Sequence, residues 1–222
     1  MYGLAAVSAL IGLLLIVLVR DPERVISEQK GSVLSLLKIP ALWPIFALML
    51  VNYAPAAGLR GLWAGPYVAD VFSADAATIG RVTLVMALAM IAGSFAFGPL
   101  ERLFKTRKWV IFTANGTGAV ALVALWFLPS QSIVFATAML AIIGVSGSTF
   151  PIIIAHSKAV FPAHLTGRGV TLMNLFGIGG VGVMQFATGP IYLASQTDAP
   201  SDAFSALFGF FAIIVVLGLL AY

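Results

Sequence analysis

The side chains able to do chemistry are few, and most lie inside apolar stretches. Asn52 and Tyr53 sit about twelve residues into the apolar run 41–62, close to mid-bilayer for a helix entering at residue 41. Pro55 follows and removes one backbone hydrogen bond. A helix broken in this way is one means of lining a polar cavity within a membrane. Arg60 lies eight residues, or about two turns, beyond Asn52. There it would attract an anion at the outer mouth, or it snorkels to the interface. Trp63 and Tyr67 would stack on a ligand, or they belong to an interfacial aromatic belt. Asn174 and Gln185 are eleven residues apart in the run 169–193, which places them on nearly one helical face. An amide carries donors and an acceptor, which suits a neutral or zwitterionic ligand. The alternative for each is an interhelical hydrogen bond of about 0.6 kcal/mol. Ser146, Ser148 and Thr149, beside Gly144 and Gly147, read as packing groups whose hydroxyls bond back to their own helix.

Other patterns carry less. Gly177-Ile178-Gly179-Gly180-Val181-Gly182 spells a dinucleotide-binding fingerprint. It lies inside an apolar span with no preceding strand, so it reads as a packing or flexing run. Asn115-Gly116-Thr117 spells a glycosylation sequon, but inside the apolar run 109–128 it is out of reach. His156 and His164 are the only histidines, and with no nearby acid they do not make a zinc site. Structural or helix-end roles suit them. There is no cysteine, so thiol catalysis, disulfides and thiolate metal sites are excluded. No acid lies in the middle of an apolar run, and proton relays in pumps use intramembrane carboxylates or histidines. No phosphate-cradling loop, cofactor motif or clustered acid–base set is present. An enzyme is therefore not expected, and neither is a cofactor or a metal.

The elements that position these residues follow from composition. Of 222 residues, 61% are hydrophobic and only 9% charged, where a soluble domain carries about 25% charged. This excludes a soluble globular domain and a disordered chain. It leaves an all-α integral membrane protein with about seven spans: 2–19, 41–62, 78–100, 109–128, 133–154, 169–193 and 203–221. Segment 64–76, with Gly65-Pro66, Asp70 and Asp75, reads as an external helical extension or loop. Loops 20–40, 101–108 and 155–168 alternate and hold ten of the twelve basic residues. Basic loops stay in the cytoplasm, so the N-terminus is expected outside. A chain that starts outside and ends at Tyr222, directly after an apolar run, reads as a piece of a longer protein. The charges form no basic stripe, so nucleic acid is not an expected partner. The bilayer is.

The third span ends in Gly98-Pro99-Leu100-Glu101-Arg102-Leu103-Phe104-Lys105-Thr106-Arg107-Lys108. This run resembles the cytoplasmic signature of the major facilitator superfamily: a glycine, a leucine two residues on, an acid with a base, and a closing basic pair. Glu101 stands about one residue early, and Lys105-Thr106 replaces the glycine expected before the basic pair. The run 61–67 looks like the outer end of helix seven in many bacterial members, and 161–169, ending in Arg168-Gly169, like their entry to helix eleven.

The resemblance implies the following. Residues 1–19 would be the last helix of an N-terminal half not contained in this chain. Residues 20–40, with the run Arg20-Asp21-Pro22-Glu23, would be the central cytoplasmic loop, and 41–222 the C-terminal six-helix bundle. The protein would be a secondary transporter of the bacterial inner membrane. It would move a small solute of open identity by alternating access, paired with the missing half or another chain. The spans 41–62, 78–100, 133–154 and 169–193 would face the cavity, and 109–128 and 203–221 would face lipid. Gly98 would let helices approach closely. Glu101, with Arg102, Arg107, Lys108 and Arg168 nearby, would gate by meeting a helix N-terminus of the other half. The competing reading is a non-transporting membrane protein, either a truncated remnant or an assembly partner.

Overall fold

The computed structural model describes residues 2–19 and 31–222, which fall into two units, 1–30 and 31–222. Residues 20–30, with Arg20, Arg24, Lys30 and the Arg20–Glu23 run, lie outside the described residues. The first unit contains one apolar helix, α1 (Tyr2–Leu18). It has 17 residues and so spans about 26 Å, the lower edge of what crosses a bilayer.

In the second unit six helices are long and apolar enough to cross a membrane: α2 (Pro40–Phe72), α3 (Ala76–Phe104), α4 (Arg107–Phe127), α5 (Ile133–Lys158), α6 (Ala163–Ala194) and α7 (Pro200–Ala221). There is no strand among the described residues. This is the architecture of an integral, multi-pass membrane protein. It is one full-length span fewer than the seven expected, because α1 is short.

Start and stop signals explain the ends. Asp75 caps α3 by accepting from Thr78 N at 2.9 Å, and Ser132 caps α5 by accepting from Phe135 N at 3.1 Å. The bonds from Thr78 hold the Asp75 carboxyl below the ordinary carboxylate range. Ser73 and Lys105 take left-handed backbone conformations (φ 50° and 52°) that stop α2 and α3.

In segment 64–76 the helical extension is realised as far as Phe72, and residues 73–75 connect to α3. The helix continues to Phe72 because Ala64, Tyr67 and Val68 share a face at helical spacing and are buried together. Tyr67 packs edge-on against Phe208 with ring centroids 5.0 Å apart, and its hydroxyl donates to the Pro129 carbonyl. Likewise α5 runs four residues past its expected end, so His156 and Lys158 lie in its last turn rather than in a loop.

Two helices are interrupted. α2 breaks at Tyr53, two residues before Pro55, and α5 breaks at Ser148–Thr149, two residues before Pro151. Each proline lacks a donor and clashes with the carbonyl four residues back. At the second break the chain tightens: Ser148 N bonds Val145 O at 3.0 Å and Thr149 N bonds Ser146 O at 3.2 Å. The two breaks pack together, with Gly147 against Ala56 and Tyr53.

α2 packs on α6 and α7, α4 on α5 and α7, and α3 on α5. This leaves α3 and α6 at the two open ends, each only 22% buried over its apolar core. By contrast, α4 is 44% and α7 56% buried. The spans 109–128 and 203–221, expected to face lipid, each combine a packed face with an exposed one. They pack on one another: Gly209 admits the Trp126 ring, and Ser205 Oγ donates to Trp126 O at 2.6 Å. Both keep an exposed apolar stripe, including Val120 and Leu217.

Helices in a membrane associate through close van der Waals packing, because lipid is as apolar as leucine. The glycine-rich run on α6 serves this end. Gly177 lies against Phe150 and Met49, and Gly180 against the Leu50 backbone, whereas Gly179 and Gly182 face open space. Gly180→Ala would drive a methyl into the Leu50 carbonyl, which side-chain motion cannot relieve. We expect it to lower stability by about 1–3 kcal/mol in thermal unfolding in detergent. Gly179→Ala should be neutral or slightly stabilising.

Candidate functional site

Where the two breaks meet, a buried polar cluster ties three helices. Asn52 of α2 donates through Nδ2 to Asn115 Oδ1 of α4 at 2.6 Å and to Thr149 Oγ1 of α5 at 2.8 Å. Asn115 in turn donates to Thr149 Oγ1 at 3.0 Å and to its own helix at Ile111 O, 2.9 Å. Thr149 closes the set by donating to Ser146 O at 2.8 Å. Asn52, Asn115 and Thr149 are all buried. The Asn52 carbonyl oxygen has no partner among the described residues. Through Nδ2, Asn52 therefore locks helices together. Its partner Asn115 had been legible only as an inaccessible sequon. The stronger signal was an amide in the middle of an apolar span, which is costly unless bonded.

Beside this cluster lies a cleft of about 310 Å³. It draws residues from the four helices expected to surround a cavity: Tyr53 from α2, Met90 and Ser94 from α3, Ser148 and Phe150 from α5, and Ile178 from α6. Two of its hydroxyls are committed. Ser94 Oγ donates to Met90 O at 3.0 Å, and Ser148 Oγ donates to the same carbonyl at 2.7 Å. The half-buried Tyr53 is tilted against Phe150, centroids 5.4 Å apart, and its hydroxyl makes no hydrogen bond among the described residues. The cleft thus offers one uncommitted phenol, two hydroxyls with spare acceptor capacity, an aromatic wall and no charge. It suits a neutral solute with an apolar body, and holds no acid, base or nucleophile pair for catalysis. Ser94 was not anticipated, since a lone serine in an apolar run gives no signal of what it faces.

A second group forms toward the other end of α2. Leu59–Trp63 is a π-helical turn that exposes Arg60, which makes no bond among the described residues. Gln185 lies across the glycine face of α2, with its Nε2 3.9 Å from where a Cβ on Gly61 would stand. Trp63 Nε1 donates to Thr188 Oγ1 at 2.9 Å, and its ring packs against Tyr192 at 4.7 Å. Trp63 is therefore engaged in helix packing. Gln185 is half-buried and close to the Arg60 turn, whereas Asn174 is exposed and joins neither group.

The signature loop closes on itself. Glu101 pairs with Arg107, whose Nη1 also donates to Ala155 O of α5 at 3.1 Å. This ties the end of α3 and the start of α4 to the end of α5. Arg102, Lys105 and Lys108 are exposed, and Arg168 is exposed at the start of α6, apart from this cluster. Nothing lies within contact distance of a Cβ at Gly98, so the close approach expected there is absent from the described chain. Gly93, one and a half turns earlier, makes it instead: a Cβ there would be 3.0 Å from Ser148 Cβ. His156 Nδ1 is hydrogen-bonded to the Tyr222 hydroxyl, and no group of three possible metal ligands occurs among the described residues.

The chain matches no protein-family model and no curated protein.

Asn52→Ala and Asn115→Ala should each destabilise by about 1–3 kcal/mol, because each strands a buried partner. The double variant should cost clearly less than the sum of the singles, as measured by a double-mutant cycle in detergent.

Proposed function

We propose that this chain is the C-terminal half of a secondary transporter of the major facilitator type, helix six through helix twelve, moving a small solute by alternating access. The observation that carries the reading is the mid-depth cleft, lined jointly by α2, α3, α5 and α6 and set where α2 and α5 are both broken. Broken helices lining a site near the midplane are a recurrent device for alternating access. A second observation supports it. Of the six long helices the two least buried, α3 and α6, flank the cleft and carry exposed apolar and small residues such as Phe95, Gly98, Leu175, Gly179 and Gly182. Such faces suit packing against a second six-helix half.

The cleft residues Tyr53, Ser94 and Ser148 would contact solute. Gln185 and Arg60 would lie on its path at the outer mouth. The concentration of basic residues in 101–108 and 155–168 supports a cytoplasmic side for these segments, in a bacterial inner membrane on this reading. The Glu101–Arg107 pair would then be the cytoplasmic latch, holding α3, α4 and α5 together until the other half competes for the carboxylate. The uncharged cleft favours a neutral or amphipathic solute over an ion.

Single-cysteine labelling tests this directly, since the native chain has no cysteine. In membranes, a charged water-soluble thiol reagent should modify Tyr53→Cys and Ser94→Cys, and leave Ile213→Cys and Leu217→Cys on the outer stripe of α7 unmodified. Lys105→Cys should react only from the cytoplasmic side. Equal protection of all four membrane positions would remove the cleft as an aqueous pathway. It would favour a non-transporting membrane protein or assembly partner.

A further inference from the structure

The loop that carries the signature also encloses a pocket of about 630 Å³, lined by Arg102, Lys105, Thr106, Arg107, Lys108 and His156, with Glu101 at its edge. Its charges do not balance. The Glu101 carboxylate is taken up by Arg107, and Arg107 is further held by the Ala155 carbonyl. Arg102, Lys105 and Lys108 make no ion pair or hydrogen bond among the described residues. Four cations against one carboxylate leave a formal charge of +3, with His156 taken as neutral. The pocket sits at the start of α4, whose helix dipole adds to the positive potential.

A second hollow of about 670 Å³ adjoins it at Thr106, a residue the two share. This one is almost wholly apolar. It runs between α3, α4 and α5 along Phe97, Leu100, Phe104, Trp109, Val110 and Val145. It opens on the outside of the bundle, where Phe104 and Trp109 are each 61% exposed. A cationic cup at a helix end, meeting at Thr106 a hydrocarbon-lined groove along the helices, matches the two parts of one molecule.

We propose that these paired hollows bind one anionic phospholipid, with its phosphate headgroup on Arg102, Lys105 and Lys108 and an acyl chain in the groove between α3 and α4. Basic pockets at the membrane end of helices favour anionic headgroups. A free phosphate would use the cup and leave the groove empty. The lipid would brace the same loop that ties α3, α4 and α5. The proposal requires only that the bundle sits in a bilayer, and does not depend on transport or on which side the loop faces.

Native mass spectrometry of the purified full chain in detergent tests it, using phosphatidylglycerol and phosphatidylcholine with identical acyl chains, and glycerol phosphate as the headgroup alone. Phosphatidylglycerol should bind at least tenfold tighter than either of the others. The triple variant Arg102→Gln, Lys105→Gln, Lys108→Gln should lose at least tenfold in phosphatidylglycerol affinity, with phosphatidylcholine unchanged. Thr113→Trp, which fills the groove, should also weaken phosphatidylglycerol. Equal binding of the two lipids, full retention by the triple variant, or no effect of Thr113→Trp would each overturn the proposal. Glycerol phosphate binding as tightly as phosphatidylglycerol would assign the cup to soluble phosphates. A dimer that excludes phosphatidylglycerol would assign the groove to a second copy. If the triple variant loses its helical circular dichroism, the wild-type preference between the two lipids decides alone.

Discussion

Everything in this bundle turns on three side chains that must find one another in a medium without water. Asn52, Asn115 and Thr149 come from three helices and satisfy one another at 2.6 to 3.0 Å. Separated, each would be a polar group stranded at membrane depth. Their meeting fixes the relative depth and rotation of α2, α4 and α5. It also fixes the two helix breaks beside each other, because Asn52 immediately precedes the break in α2 and Thr149 is part of the break in α5. The remaining Asn52 oxygen is buried with no partner among the described residues.

Around that lock the packing is set by small residues. Gly180 lets α6 lie on the Leu50 backbone, Gly147 lets the two breaks meet, and Gly118 accommodates Ser146. The aromatic group of Trp63, Tyr67, Tyr192, Phe204 and Phe208 closes one end of the bundle, and the Glu101–Arg107 pair closes the loop between α3 and α4. Between these two ends the cleft at Tyr53 stays open. A helix interrupted by proline cannot fill the space beside it as a continuous helix would.

The comparison of residue pattern with structure is instructive at particular positions. The spans were legible because a bilayer imposes length and apolarity on each crossing, and every expected span of 41–222 falls on one of α2 to α7, with 109–128 overrunning α4 by one residue. Asn52 bonds Asn115 and Thr149, and its neighbour Tyr53 lines the cleft. Arg60 and Gln185 are brought near one another, while Asn174, on the same face of α6 as Gln185, is not. Trp63 packs on Thr188 and Tyr192, and Gly98 has no neighbour within contact distance among the described residues. In each case the residue type announced a cost or a capability, and the neighbours decided which was realised.

Composition by itself determined the class of protein: a chain this apolar and this poor in charge must give its backbone polar groups internal partners, and helices do so locally. It also determined where the helices run, because charges and turn residues are expelled from the apolar core. What only the tertiary structure decided is which face of each helix meets which other. The amides and hydroxyls of 41–158 could be read one by one, but an interhelical bond depends on rotation and depth, which no single span encodes. The pairing of Asn52 with Asn115 across 63 residues, and the cleft that the four helices enclose, exist only in the packed bundle.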